Sequence, residues 1–185
     1  MNSEIVVIDD FLPKEKFLPI QELLLSDEFP WTWGEHTVTY PTDMDKRKIP
    51  SHVLPLISCE ELDNFQLQNI MYIDSLPRNE YLQYVFPVIS NLKPTAVGIH
   101  RVKANLNPKA DRIIRHGMHV DTWFDCMTAV YYLNTNNGCT IFEDETEIKS
   151  VENRIVIFPS KIKHTGTTCT DKKRRVVLNI NYFSS

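Results

Sequence analysis

Polar and apolar residues alternate most cleanly near the C-terminal end. From Arg174 to Phe183, Val176, Leu178, Ile180 and Tyr182 fall on one side of an extended chain, and Arg175, Val177, Asn179 and Asn181 on the other. Strand side chains repeat with period two, so this segment predicts a strand with one apolar and one polar face. Two further runs, Thr128 to Leu133 and Arg154 to Phe158, are β-branched and aromatic and predict strands buried on at least one side. The first ends in Asn134-Thr135-Asn136-Asn137-Gly138, a cluster of turn formers that reads as a hairpin. Upstream, Ile5 to Ile8 predicts a short strand, and Asp9-Asp10-Phe11-Leu12-Pro13 offers capping residues and a proline for a helix to about Leu25, with Pro19 kinking or shortening it. Phe29 to Tyr40 reads as a strand with aromatic punctuation, and the charged, proline-bounded stretch 41–50 as a mobile loop. Asp74-Ser75-Leu76-Pro77 reads as a helix start, after which Leu82, Val85, Phe86 and Ile89 make one apolar stripe fit to pack on the outside of a sheet.

The polar face of the last strand is hard to explain as plain surface, because the neighbouring runs are buried. It reads instead as the wall of a cavity, with Arg175 facing in and Arg174 on the apolar side; a slip of one residue would exchange the two. An inward guanidinium needs a counter-ion, and its planar fork grips a carboxylate with two parallel bonds. The implied ligand is therefore acidic.

Composition narrows the classes without choosing among them. At 185 residues the chain suits one well-buried domain, expected over 1–185. Hydrophobic content of 42% and charged content of 24% are those of a soluble globular protein, and the net charge of −4 argues against bulk nucleic-acid binding. There is no basic leader followed by an apolar stretch and no run long enough to span a bilayer, so no membrane is expected and the location defaults to the cytoplasm. Cys59, Cys126, Cys139 and Cys169 have no paired spacing, so they read as reduced structural thiols.

Candidate chemistry begins at His119-Val120-Asp121 and continues at His164. Two imidazoles and one carboxylate form the ligand set that leaves coordination positions open on Fe(II) for a co-substrate and dioxygen. His-x-Asp alone is weak, and its weight comes from its place among the strands. His116 stands three residues before His119, but a His-x-x-His zinc pair needs a helix and Gly117 speaks for a strand or loop. It reads as structural. His36, His52 and His100 read as ordinary residues, and Trp31 and Trp33 as hydrophobic anchors. Trp123 and Phe124, just after the tripeptide, are candidates for the substrate entrance or for simple packing. Asn179 and Asn181 are placed to bond a ligand or a metal-bound water, or each other.

In order and spacing, His119-Val120-Asp121, Thr128 to Asn134, Gly138-Cys139-Thr140, Ile157-Phe158-Pro159, His164-Thr165-Gly166 and Arg175 with Val176 to Phe183 resemble the Fe(II)- and 2-oxoglutarate-dependent dioxygenases, in their prolyl-4-hydroxylase-like branch. The resemblance covers about 95–183 closely and the N-terminal half loosely. It implies a mainly β fold, a double-stranded β-helix (jelly roll, cupin-like) with helices packed on one sheet, residues up to about 94 serving as support. It also implies iron on His119, Asp121 and His164, 2-oxoglutarate as co-substrate, Arg175 on the distal carboxylate and the phenol of Tyr132 as a second donor. The family's tyrosine on the strand before His-x-Asp is missing, and Asn105 is the expected donor to the metal-side carboxylate. The expected reaction hydroxylates an unactivated C–H bond of a prolyl or other amino-acid side chain in a small-molecule or peptide substrate, releasing succinate and CO2. Two alternatives keep the same barrel: a cupin-like metal-binding isomerase, which would not need Arg175, and a non-catalytic binding module, which would be favoured by loss of a ligand. A nucleic-acid demethylase is disfavoured by charge. Oligomeric state is left open.

Overall fold

A computed structural model describes residues 5–37 and 65–185. The 41–50 loop, His52 and Cys59 lie outside the described residues, as does the end of the strand expected over Phe29–Tyr40. In chain order the elements are β1 (Val6–Ile8), α1 (Lys14–Leu25), β2 (Thr32–Gly34), β3 (Gln66–Ile73), β4 (Leu76–Pro77), a 3-10 helix (Glu80–Val85) and α2 (Phe86–Ser90). They continue with β5 (Ala96–Pro108), β6 (Met127–Tyr132), β7 (Cys139–Phe142), β8 (Glu147–Lys149), β9 (Ile155–Pro159), β10 (His164–Gly166) and β11 (Arg174–Ser184).

Among the described residues a large antiparallel sheet runs β1-β9-β6-β11-β5-β3-β2, with β4 beside β3, and a small one runs β10-β7-β8. A stretch ahead of β6 extends the small sheet: His119 N donates to His164 O and His164 N to His119 O, both at 2.9 Å, and His116 N donates to Gly166 O. This is the double-stranded β-helix expected from the sequence. The apolar face of β11 meets Val102, Ala104 and Leu106 of β5 and Tyr131 of β6, and the helices cover that layer with Phe17, Ile20, Leu24, Val85 and Val88. On the opposite face Val130, Tyr132, Phe142, Val156, Phe158 and Val177 form a second apolar cluster. No helix among the described residues is long and apolar enough to cross a membrane.

Four local expectations need correction. The first helix starts at Lys14 with Pro13 as an uncapped N-cap, because Asp9 is spent on Arg154 and Asp10 takes a left-handed φ of 48°. It then continues through Pro19 and reaches Leu25, so the proline does not shorten it. An interior proline costs about 3 kcal/mol, but burying Phe17, Ile20 and Leu24 returns about 1.5–3 kcal/mol each, so packing wins.

Asp74 and Ser75 do not open a helix. Both take positive φ, 54° and 61°, and form the two-residue turn between β3 and β4, which needs that conformation at both places. The helix begins later, capped by Asn79, whose side chain accepts from Tyr81 N. Its first part is a 3-10 helix with period three, so Val85 and Val88 turn inward while Phe86, expected in the stripe, is 54% exposed.

The turn after β6 is not a hairpin either. β6 pairs with β9 and β11, whereas β7 pairs with β8 and β10, so residues 134–138 carry the chain from one sheet to the other. Asparagine side chains guide that crossing. Asn134 donates to Arg174 O and accepts from Val176 N, and Asn136 donates to Asn134 O and accepts from Gly138 N.

Candidate metal centre and its cavity

Cross-strand register sets the inward side chains of the large sheet in rows. Arg101, Asn181, Thr128 and Phe158 form one row, and Lys103, Asn179, Val130 and Val156 the next. Asn105, Val177 and Tyr132 form a third, and Asn107 and Arg175 a fourth. Successive rows are about 6.7 Å apart along the strands. A cavity of about 110 Å³ lies against them, with His119, Asp121 and His164 at one end and Arg175 at the other. Since one water needs about 10–15 Å³, there is room for a small molecule.

At the first end the ligand atoms of His119, Asp121 and His164 lie within 4.8 Å of one another, the group among the described residues that can hold a metal ion. His119 Nδ1 is 2.9 Å from Gly117 O and His164 Nδ1 is 3.0 Å from Ile162 O. A carbonyl oxygen only accepts, so each Nδ1 carries the proton and each Nε2 keeps a lone pair for a metal. Burial, with His164 beside it, pulls His119 down to about 4, which keeps its ring in the neutral, ligating form at neutral pH. Asp121 is tied down on one side. Its Oδ2 accepts from Thr128 Oγ1, Asn179 Nδ2 and Asn181 Nδ2, each at 3.0 Å, while Oδ1 accepts from Arg101 Nη2 at 3.2 Å and faces His119 Nε2 at 3.8 Å. Burial pushes its carboxyl up, but His164, Arg101, His119 and the Asn179 amide outweigh that and hold it far below the ordinary carboxylate range. Two imidazoles that present Nε2 and one ionised carboxylate fit a divalent first-row metal with open positions.

At the other end Arg175 is 3% exposed, and no carboxylate pairs with it among the described residues. Its Nε donates to Ser150 Oγ at 2.8 Å and its Nη2 to Thr140 Oγ1 at 3.2 Å. Tyr132 does not line the cavity. Its hydroxyl donates to Thr140 Oγ1 at 2.8 Å, behind the wall. Thr140 thus accepts twice, which leaves its own proton as the donor it presents to the cavity. Arg174 lies on the far side of β11 and donates to the carbonyl of Leu25.

Asn179 and Asn181, expected at the co-substrate, both spend amide donors on Asp121; Asn181 is fully buried behind the cavity. Asn105 lines the cavity and its Oδ1 has no partner among the described residues, and Asn107 beside Arg175 has an Nδ2 in the same condition. His116 lines the cavity near Arg175 but is not one of the three clustered ligands. Burial, then Arg175, pulls it down to about 4, so it is neutral. Trp123 is 58% exposed and meets Phe124 edge-on, while Phe124 stacks on Phe183. Neither forms the cavity wall. Sequence reasoning missed Arg101, Lys103, Asn107 and Thr140. The first three, together with Asn105, repeat every second residue opposite Val102, Ala104 and Leu106, the alternation already used for β11.

Two glycines make room for the guanidinium. A Cβ on Gly138 would stand 2.6 Å from Thr168 O and 2.7 Å from Arg175 Cδ, and one on Gly166 would meet Arg175 Nη1 at 3.3 Å. Gly138→Ala should cost about 1–3 kcal/mol of stability through overpacking against a rigid carbonyl, read as a lowered Tm. Gly166→Ala should cost less, since only a side-chain end must shift. Equal Tm values for Gly138→Ala and the parent would contradict the close fit around Arg175.

No protein-family model and no curated protein matches the chain. Solved structures do. A prolyl hydroxylase from Trichoplax adhaerens, in complex with a hypoxia inducible factor oxygen degradation domain peptide fragment, is 16% identical with a TM-score of 0.56, covering 99% of this chain and 84% of its own. The non-heme alpha ketoglutarate dependent epimerase SnoN from nogalamycin biosynthesis is 10% identical with a TM-score of 0.59, over 98% of this chain and 78% of its own. A Pseudomonas putida prolyl-4-hydroxylase is 12% identical with a TM-score of 0.50, over 100% and 95%. At such identities the likeness is one of fold.

Proposed function

We propose that the chain is a single-domain Fe(II)- and 2-oxoglutarate-dependent oxygenase that hydroxylates an unactivated C–H bond. The observation that carries this reading is a buried arginine without a carboxylate partner among the described residues, sharing one small cavity with His119, Asp121 and His164. A buried cation left unpaired is costly, and an acidic ligand reaching from the metal site to Arg175 removes that cost. A cupin-like isomerase or a binding module leaves Arg175 unexplained.

Bound iron and 2-oxoglutarate supply the oxidising chemistry, one oxygen atom of O2 entering the substrate and the other the succinate released with CO2. The protein's residues do the rest. His119 and His164 offer Nε2 atoms in a fixed tautomer, and Asp121 offers Oδ1 while Thr128, Asn179 and Asn181 hold Oδ2. Arg175 and Thr140 take the distal carboxylate, and Val130 and Val177 line the middle of the cavity beside Lys103 and Asn105. A prolyl or other amino-acid side chain is the proposed substrate, a reading supported by the fold shared with two prolyl hydroxylases. Cytoplasmic location is supported by Cys126, Cys139 and Cys169, which are free thiols.

Iron and 2-oxoglutarate together should raise the Tm more than either alone, because binding to the native state stabilises by mass action and each ligand completes the other's site. Anaerobic titration should develop a metal-to-ligand charge-transfer band in step with that rise. Separate, additive shifts with no band would remove the oxygenase reading.

A further inference from the structure

We propose that Lys103 holds the metal-side carboxylate of the 2-oxo acid, so that the pocket reads an anion at each end. The inference rests on the oxygenase reading above and assigns a contact for which the strand before His119-x-Asp121 offers no tyrosine. Lys103 lines the cavity from the inward face of β5, one row from Arg101 and directly across from Asn179, whose amide holds Asp121. Arg175 enters the same cavity two rows further on, about 13 Å along the sheet. Two cations so placed suit a ligand with an anion at each end.

Most competing donors at the triad end are engaged, the buried Arg101 Nε excepted. Arg101 Nη2 is spent on Asp121 Oδ1 and Asn179 Oδ1, and Thr128, Asn179 and Asn181 all donate to Asp121 Oδ2. Lys103 forms no hydrogen bond or ion pair among the described residues. Burial, and then Arg101, pulls its ammonium down to about 7 against an opposing pull from Asp121, as expected for a cation that has lost water without a carboxylate in direct contact among the described residues. A carboxylate beside it supplies that counter-ion. Asn105, the other candidate, stands a row further from the triad than Lys103 and carries no charge.

The test is anaerobic calorimetry on the iron-loaded protein with 2-oxoglutarate and with 2-oxopentanoate, which keeps the metal-side end but lacks the distal carboxylate. Lys103→Met should weaken both acids about tenfold or more and by similar factors, and Lys103→Arg should recover most of the loss. Arg175→Ala should weaken 2-oxoglutarate alone. At saturating 2-oxoglutarate the charge-transfer band, which reports the metal-side end, should move in Lys103→Met and stay in Arg175→Ala; this measurement stands even if 2-oxopentanoate binds too weakly to titrate. Lys103→Gln carries the same expectations should the methionine variant not fold. An unmoved band with unchanged affinities overturns the proposal and turns Lys103 toward the primary substrate, and loss confined to 2-oxoglutarate overturns it by placing Lys103 at the distal end. Should the parent protein with iron bind neither acid, the oxygenase reading itself falls and the role of Lys103 falls with it.

Discussion

Asp121→Ala should abolish turnover and weaken iron binding by more than about a hundredfold, beyond the 10–100-fold that loss of an outer partner costs a metal site. The carboxylate is the single anion of the triad, and the cations and amides around it exist to keep it ionised and aimed. Removing it leaves Thr128, Asn179, Asn181 and Arg101 with donors converging on nothing, so some stability should go as well, at about 1–3 kcal/mol per group left unsatisfied where water cannot enter. Asp121→Asn, which keeps the volume, separates the two effects: it should fold nearly as well as the parent and still fail to hold iron. His116→Ala should leave metal stoichiometry unchanged, because its ring lies near Arg175 and outside the clustered ligands. Metal content after anaerobic loading and desalting decides the matter. Iron retained by Asp121→Ala but lost from His116→Ala would replace the triad with a His116/His119 pair.

The fold was legible where a strand has to be apolar on one side and polar on the other. On β11 the alternation gave both the buried layer and the inward row, because Val176, Leu178, Ile180 and Tyr182 meet the helix-covered core and leave the opposite face no place but the cavity. The same argument was available on β5, where Arg101, Lys103, Asn105 and Asn107 alternate with Val102, Ala104 and Leu106. Charged residues in an alternating strand usually mark a solvated face. What makes them a wall here is pairing with β11, a long-range fact that no local window contains.

Turns show the same boundary from the other side. Asn134 to Gly138 announced a change of direction, but whether the next strand returns to its own sheet or crosses to the opposite one depends on partners far away in sequence, such as Arg174 and Val176. Asp74-Ser75 fits a helix cap and a two-residue hairpin equally well, since short polar side chains favour both. Placement of β4 against β3 settles it. The asparagines of β11 were legible as inward-facing, yet their target was not: that three donors meet on one oxygen of Asp121 follows from the strand rows and from the loop that returns Asp121 to them.

Arg175→Ala should raise the apparent KM for 2-oxoglutarate by about thirtyfold or more and leave iron affinity close to that of the parent. Truncating one partner of a buried, hydrogen-bonded charge pair costs about 2–5 kcal/mol, and the guanidinium sits at the end of the cavity away from His119, Asp121 and His164. Tyr132→Phe should cost about 1 kcal/mol, because the phenol acts on the cavity only through Thr140, where its loss frees an acceptor site without removing the threonine's own donor. Arg174→Ala should lower stability by about 0.5–1.5 kcal/mol, through loss of its bond to the Leu25 carbonyl, and should leave KM alone. The contrast between two adjacent arginines is the sharper measurement, since a general loosening of the barrel would move both. Steady-state KM for 2-oxoglutarate, with Tm on the same preparations, separates them. A large KM effect from Arg174→Ala with a small one from Arg175→Ala would mean that β11 is shifted by one residue, which would turn Asn179 and Asn181 away from Asp121 and remove the support of the metal site.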